Sequence, residues 1–147
     1  MCWYYWDTYA PLVTWSSVRL LLVVAKIHIP NSNSINFVMA FPEANLPIPV
    51  YMGLPAGVTP IDETYSNRRR YVLRLNKYFY GLKSSERTWF EKLRSGLTDR
   101  HFFQIQVEKC VFYRDGCIIL TYVDYCIIIG KSMAILDSVI DSLRNRY

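Results

Sequence analysis

The spacing of apolar residues along the chain predicts three helices, because residues three and four positions apart lie on the same helical face. We expect these helices at about residues 14–28, 84–100 and 132–146. Their inner faces are formed by Val18, Leu21, Leu22 and Ala25 in the first, by Trp89, Leu93 and Leu97 in the second, and by Ile135, Leu136, Val139, Ile140 and Leu143 in the third. Thr14 or Ser16 is the expected N-cap of the first helix, and Ser84 or Ser85 that of the second.

Short apolar runs bounded by glycine, proline or asparagine predict strands between these helices. The expected strands cover about 34–39, 50–53, 71–75, 110–113, 118–123 and 127–129. Asp115-Gly116, between two apolar runs, is typical of a tight hairpin turn, whereas Pro42, Pro47 and Pro49 are expected to interrupt regular structure. The sum is an α+β fold, with an antiparallel sheet and helices packed on one face of it.

Composition narrows the class of protein. The chain has 147 residues, of which 52% are hydrophobic, so it can bury one core and is not a disordered chain. Its net charge of +5 favours contact with phosphate backbones or anionic surfaces. The apolar run 20–25 is too short to span a bilayer, and no basic secretory start precedes it. We therefore expect an intracellular protein, cytoplasmic or nuclear, with no membrane partner.

The metal-ligating residue types form no motif of the zinc-binding kind. The four cysteines contain no Cys-x-x-Cys pair, and three of them lie in apolar, strand-like runs, which indicates core positions. His28 and His101 are isolated from one another and from the cysteines. We therefore do not expect a zinc site.

Tyr122-Val123-Asp124-Tyr125 lies between two apolar runs and predicts two strands joined by a tight turn that carries one carboxylate. This layout resembles a polymerase palm hairpin in which one of the two carboxylates is missing. Two-metal phosphoryl transfer requires adjacent carboxylates that hold two divalent ions about 4 Å apart. Tyr125 occupies the position of the second carboxylate, and its phenol is neutral near pH 7 and a poor ligand for a hard cation.

The segment 79–93 resembles the Tyr-Gly-Leu-Lys motif of copia-type retrotransposon reverse transcriptases, with Tyr80-Gly81-Leu82-Lys83, Arg87 and Trp89 at matching spacings. The segments 7–19 and 50–57 resemble the stretch before the first palm helix and the tyrosine-methionine hairpin of that family. Residues 110–112 and 122–124 complete the order, so the resemblance covers nearly the entire chain. It implies a palm and fingers fragment of an RNA-directed DNA polymerase, a nucleotidyltransferase that uses Mg²⁺ and an RNA/DNA template-primer.

The resemblance also implies roles for individual residues. Asn36 stands at the first metal-binding Asp position, Asp124 at the second and Tyr125 at the third. One of three carboxylates remains, so we expect Asp124 to hold Mg²⁺ weakly or not at all, with Asn36 assisting, and polymerase activity to be impaired or lost. The nucleotide would contact Phe41, as a sugar gate, together with Tyr80 and Gly81. Phe41 is equally compatible with an ordinary core position.

The expected contacts to nucleic acid are Lys83, Arg87 and the run Arg68-Arg69-Arg70. The arginine run is also compatible with a solvated surface, and Arg87 with an ion pair to Glu91. We expect residues 1–147 to form a single partial domain without thumb or ribonuclease H. The alternatives to an impaired polymerase remnant are a non-catalytic nucleic-acid-binding or interfering module, and an expressed relic with no selected role.

Overall fold

The computed structural model describes residues 8–29, 31–58 and 71–147. The helices are α1 (Trp15–His28), α2 (Ser85–Thr98) and α3 (Met133–Arg144). The strands are β1 (Asn31–Asn36), β2 (Asn45–Gly53), β3 (Val72–Lys77), β4 (Phe103–Gln104), β5 (Val111–Arg114), β6 (Cys117–Tyr122) and β7 (Tyr125–Gly130). A short 3-10 turn covers Phe41–Glu43. None of the described helices is both long and apolar enough to cross a membrane.

Five strands form one antiparallel sheet in the order β1-β7-β6-β5-β4, and β2 and β3 form a separate hairpin. This confirms the expected α+β class. The strands β6 and β7 are joined by the two-residue turn at Val123 and Asp124, with Tyr122 opposite Tyr125. The edge strand β1 then pairs with β7 along its full length. The end of β1 therefore lies beside the start of β7, next to the turn that contains Asp124.

The two faces of the sheet contact different helices. Alternate residues of β6 and β7, among them Ile119 and Ile128, are buried in one core with α2 and α3. The intervening residues, among them Tyr122 and Tyr125, line a cavity of about 250 Å³ on the other face, together with the start of α1. The predicted inner faces of α2 and α3 are confirmed, because Trp89, Leu93, Leu97 and the α3 stripe are buried or packed against the core.

Three local expectations were wrong. The first strand ends at Asn36 rather than at Met39, because Val38 is exposed and Met39 adopts a left-handed φ of 59°. The strand β2 continues through Pro47 and Pro49, with an irregular register between Asn45 and Val50. In α1, Leu22 is exposed rather than inward. The expected N-cap position of α2 is confirmed at Ser84, which makes no side-chain capping bond, and the neighbouring Ser85 hydroxyl donates to the Phe79 carbonyl at 2.8 Å.

Candidate active site

The turn between β6 and β7 presents the single carboxylate predicted for the site. Val123 has φ of 55°, a left-handed conformation that is unfavourable for a β-branched residue. Asp124 is the second residue of the turn. The Val123 carbonyl accepts a hydrogen bond from Trp89 Nε1 at 2.8 Å. The Asp124 carbonyl accepts one from the Phe37 backbone N–H at 2.9 Å. The backbone on both sides of the Asp124 side chain is therefore fixed.

The structure brings all three predicted metal positions together. The register of β1 against β7 places Asn36 directly opposite Tyr125, which follows Asp124 in the chain. Residues directly opposite in an antiparallel pair have their Cβ atoms about 4.5–5.5 Å apart and on the same face. Asn36 and Tyr125 are both solvent-exposed there. The site thus contains one carboxylate in the turn and, beside it, one amide and one phenol on adjacent strands.

This donor set does not match a pair of magnesium ions. Mg²⁺ prefers oxygen ligands in octahedral geometry and is usually bound through one or two carboxylates, and a two-metal centre needs such charge for both ions. In the described ranges no three His, Cys, Asp or Glu side chains are grouped as metal ligands. The neighbouring Cys126 is buried, and this burial, reinforced by the charge of Asp124, raises the pKa of its thiol far above the ordinary value. Its sulfur is a neutral core atom.

The predicted nucleotide-contacting residues lie around a different feature, a cavity of about 270 Å³ at the start of α2. It is lined in part by Phe41, Gly81, Lys83 and Glu86. The Phe41 ring meets the Tyr80 ring with centroids 4.6 Å apart, and Gly81 adopts a left-handed φ of 95° that suits glycine. Phe41 is 6% exposed, so it is a core residue that also borders the cavity.

The predicted nucleic-acid contacts are only partly described. Lys83 borders the cavity just named, and Arg87 borders a second cavity, of about 390 Å³, together with Arg94 and Lys109. The proposed partner of Arg87, Glu91, forms an ion pair with Arg94 at 2.6 Å. The run Arg68-Arg69-Arg70 lies outside the described residues.

Sequence reasoning missed the role of Trp89 at this site. Its spacing assigned it only to the inner face of α2, and the side chain is indeed 1% exposed. The available signal was chemical, because a buried indole N–H requires an acceptor. That acceptor, the carbonyl of Val123, belongs to a strand pair distant in sequence, so the spacing of α2 alone does not reveal it.

Comparison with known proteins identifies the family. The family model described as reverse transcriptase (RNA-dependent DNA polymerase) matches residues 2–147. The chain is 30% identical to the retrovirus-related Pol polyprotein from transposon RE2 of Arabidopsis thaliana, over 97% of the chain and 10% of that protein. It is 26% identical to the corresponding polyprotein from transposon TNT 1-94 of Nicotiana tabacum, over 88% of the chain and 10% of that protein.

A yeast relative extends the comparison over part of the chain. The Ty1-NL2 Gag-Pol polyprotein of Saccharomyces cerevisiae is 30% identical over 52% of the chain and 4% of that protein. The chain thus spans about a tenth of the length of its first plant relatives. No solved structure matches it significantly. The match over 146 of 147 residues, together with the plant Pol polyproteins, confirms the resemblance to copia-type enzymes: the chain belongs to the reverse transcriptase (RNA-dependent DNA polymerase) family.

Proposed function

We propose that this chain is a reverse transcriptase palm of retrotransposon origin whose nucleotidyl-transfer centre is impaired. The observation that carries the proposal is the cross-strand pair of Asn36 and Tyr125 beside Asp124. These three residues occupy the positions that the family resemblance assigns to three metal-binding aspartates. The positions are thus adjacent in space, and one of them retains a carboxylate.

The reasoning is electrostatic. Nucleotide transfer to a primer is catalysed mainly by positioning and by neutralisation of the charge on the phosphates, which divalent ions supply in this family. An amide oxygen is a neutral secondary ligand and a phenol is protonated near pH 7, so neither balances the charge of a cation. Asp124 supplies one negative charge where two cations would have to lie close together. Turnover at or near background follows.

Primer extension on an RNA template, with Mg²⁺ and then with Mn²⁺, tests this proposal. We expect no extension above background for the natural chain and for Asp124→Ala. Extension by the natural chain that disappears in Asp124→Ala would overturn the proposal, because it would show that one carboxylate suffices.

Calorimetric titration with Mg²⁺ tests the charge argument without requiring turnover. The variant that combines Asn36→Asp with Tyr125→Asp should bind Mg²⁺ at least about tenfold more tightly than the natural chain, because three carboxylates then surround the cation. The matched control is the same variant with Asp124→Ala, which should lose most of the gain. Equal affinity of the natural chain and the restored variant would contradict the assignment of these positions.

A second candidate function is non-catalytic binding of nucleic acid. It is favoured by the net charge of +5 and by Arg87 and Lys109 at a cavity that the ion pair of Glu91 and Arg94 also lines. Binding to an RNA/DNA hybrid, measured by electrophoretic shift, should weaken steeply with added salt. Arg87→Gln should weaken it more than Lys26→Gln, which also removes one positive charge but lies in the last turn of α1. Absence of a shift at low salt would remove this candidate.

A further inference from the structure

We propose that Trp89 is a positioning residue, which holds the left-handed turn at Val123 and thereby fixes the direction of the Cα–Cβ bond that carries the Asp124 carboxylate. This inference rests on the proposed assignment of Asp124 to the metal position. It concerns a side chain that does not itself reach the solvent-exposed face of the site, since Trp89 is 1% exposed.

The turn requires external support. Two-residue hairpin turns need a left-handed residue at their first central position, which is why glycine, asparagine and aspartate are common there. This chain has a valine at that position, with φ of 55°. Branching at Cβ makes this conformation unfavourable, and strained backbone of this kind persists only where surrounding contacts determine it.

Two hydrogen bonds supply these contacts. Trp89 Nε1 donates to the Val123 carbonyl at 2.8 Å, and this carbonyl belongs to the peptide group that precedes the Asp124 Cα atom. The Phe37 N–H donates to the Asp124 carbonyl at 2.9 Å, in the peptide group that follows it. With both flanking peptide planes held, the Cα–Cβ bond of Asp124 has one direction. Without the indole bond, only the second plane is held by a described partner.

The indole is itself oriented by neighbouring rings. Trp89, Phe37 and Tyr147 form an aromatic triad in which each pair of rings meets edge to face, with Phe37 and Tyr147 at 5.2 and 5.4 Å from Trp89 between centroids. The Tyr147 hydroxyl donates to the Lys92 carbonyl of α2 at 3.0 Å. Because Phe37 directly follows Asn36, the triad connects the backbone of two of the three metal positions. The packing of these rings orients the indole, and its Nε1–H in turn holds the Val123 carbonyl.

Hydrogen exchange of the full chain, measured by NMR without metal, tests the inference independently of catalysis. Trp89→Phe keeps an aromatic ring and removes the N–H donor. It should accelerate exchange of the Phe37 amide about tenfold, because loosening of the turn exposes that hydrogen bond. The Phe102 amide, bonded to the Leu97 carbonyl at the end of α2, reports on the core and should change less than about twofold. Trp15→Phe, at an exposed position, is the matched control and should leave both amides unchanged.

A rescue variant separates positioning from packing. Glycine adopts the left-handed conformation without strain, so Val123→Gly should restore most of the Phe37 protection lost in Trp89→Phe. A packing defect would instead accelerate Phe37 and Phe102 together and would not respond to Val123→Gly. The inference is overturned if the Phe37 and Phe102 amides accelerate together, if Val123→Gly fails to restore protection of Phe37, or if the Phe37 amide is unchanged in Trp89→Phe.

A metal-binding measurement connects the turn to the site. In the background of Asn36→Asp with Tyr125→Asp, Trp89→Phe should weaken Mn²⁺ binding about fivefold. The three carboxylates can bind one ion together only when each is correctly oriented, and loosening the turn disturbs the orientation of Asp124. An unchanged affinity in a background that binds Mn²⁺ would overturn the link to Asp124. A background that fails to bind Mn²⁺ would instead contradict the proposed function, while hydrogen exchange still decides the role of Trp89 in the turn.

Discussion

Removal of the Glu108 carboxylate should detach the start of α1 from the sheet. Glu108 Oε2 accepts hydrogen bonds from the Ser17 hydroxyl at 2.8 Å and from the Thr14 N–H at 3.5 Å. Its Oε1 accepts one from the Cys110 N–H at 3.4 Å, next to the start of β5. Among the side chains of α1, Ala25 is the buried one, and Trp15 is 77% exposed. Val18 and Leu21 are only partly buried against the core, so this polar anchor supplements limited apolar packing at the start of the helix.

The size of the effect follows from the geometry. One of the three bonds is short and two are long, and the carboxylate is half-buried. A hydrogen bond to a charged group contributes about 1.5–3 kcal/mol when well made, and a negative charge at a helix N-terminus adds about 0.3–1 kcal/mol. Discounting the long contacts and the exposure, Glu108→Ala should lower the free energy of unfolding by about 1.5 kcal/mol, and Glu108→Gln by about half of that.

Urea denaturation followed by circular dichroism measures this loss. Glu91→Ala is the matched control, because Glu91 forms an exposed ion pair with Arg94 and should cost no more than about 0.5 kcal/mol. Hydrogen exchange adds a local readout, since the Val18 N–H bonded to the Thr14 carbonyl should lose protection in Glu108→Ala only. Equal losses of stability in the Glu108 and Glu91 variants would refute the reasoning that α1 is anchored by this carboxylate.

Three further predictions concern the core, the thiols and the site. Leu97 is fully buried and Leu20 is 63% exposed, so urea denaturation should show a loss of about 3 kcal/mol for Leu97→Ala and under about 0.5 kcal/mol for Leu20→Ala. Burial, and secondarily the charge of Glu108, raise the pKa of Cys110 from 9.0 to about 11. As the pH rises, the thiol therefore ionises in the unfolded chain before it ionises in the folded one. The stability it contributes is complete below pH 9.0 and declines up to about pH 11, a decline that Cys110→Ala should lack in urea titrations. Asn36→Asp with Tyr125→Asp should lower the melting temperature without metal, and Mg²⁺ should raise it again only in that variant.

Elements with strong local signals were predictable from the sequence. The helices α2 and α3 carry apolar stripes at helical spacing, and Asp115-Gly116 between apolar runs specified the hairpin of β5 and β6. In these segments the local preference and the tertiary environment favour the same structure. Their observed bounds differ from the predicted ones by one or two residues at each end.

The edge strand β1 could not be placed from its own sequence. Asn31–Asn36 reads Asn-Ser-Asn-Ser-Ile-Asn and has no alternation of apolar residues, so its conformation is set by pairing with β7. The two-residue strand β4 is likewise defined by its pairing with β5. The hydrogen bond from Trp89 to the turn belongs to the same class, because it joins segments that are distant in sequence. These features depend on the folded chain rather than on local preference.

The pairing register of β1 and β7 also explains why the fold is compatible with neutral side chains at positions 36 and 125. Two aspartates at positions 36 and 125 would place like charges directly opposite each other on β1 and β7, which destabilises a strand pair unless a cation lies between them. Asn36 and Tyr125 make the same cross-strand pair neutral, and tyrosine is favoured in strands. The hydrogen bonds to the carbonyls of Val123 and Asp124 involve Trp89 and the Phe37 backbone, and neither uses the side chain of residue 36 or 125. The turn geometry is therefore independent of the side chains at positions 36 and 125, so the hairpin that carries Asp124 forms with a neutral pair beside it.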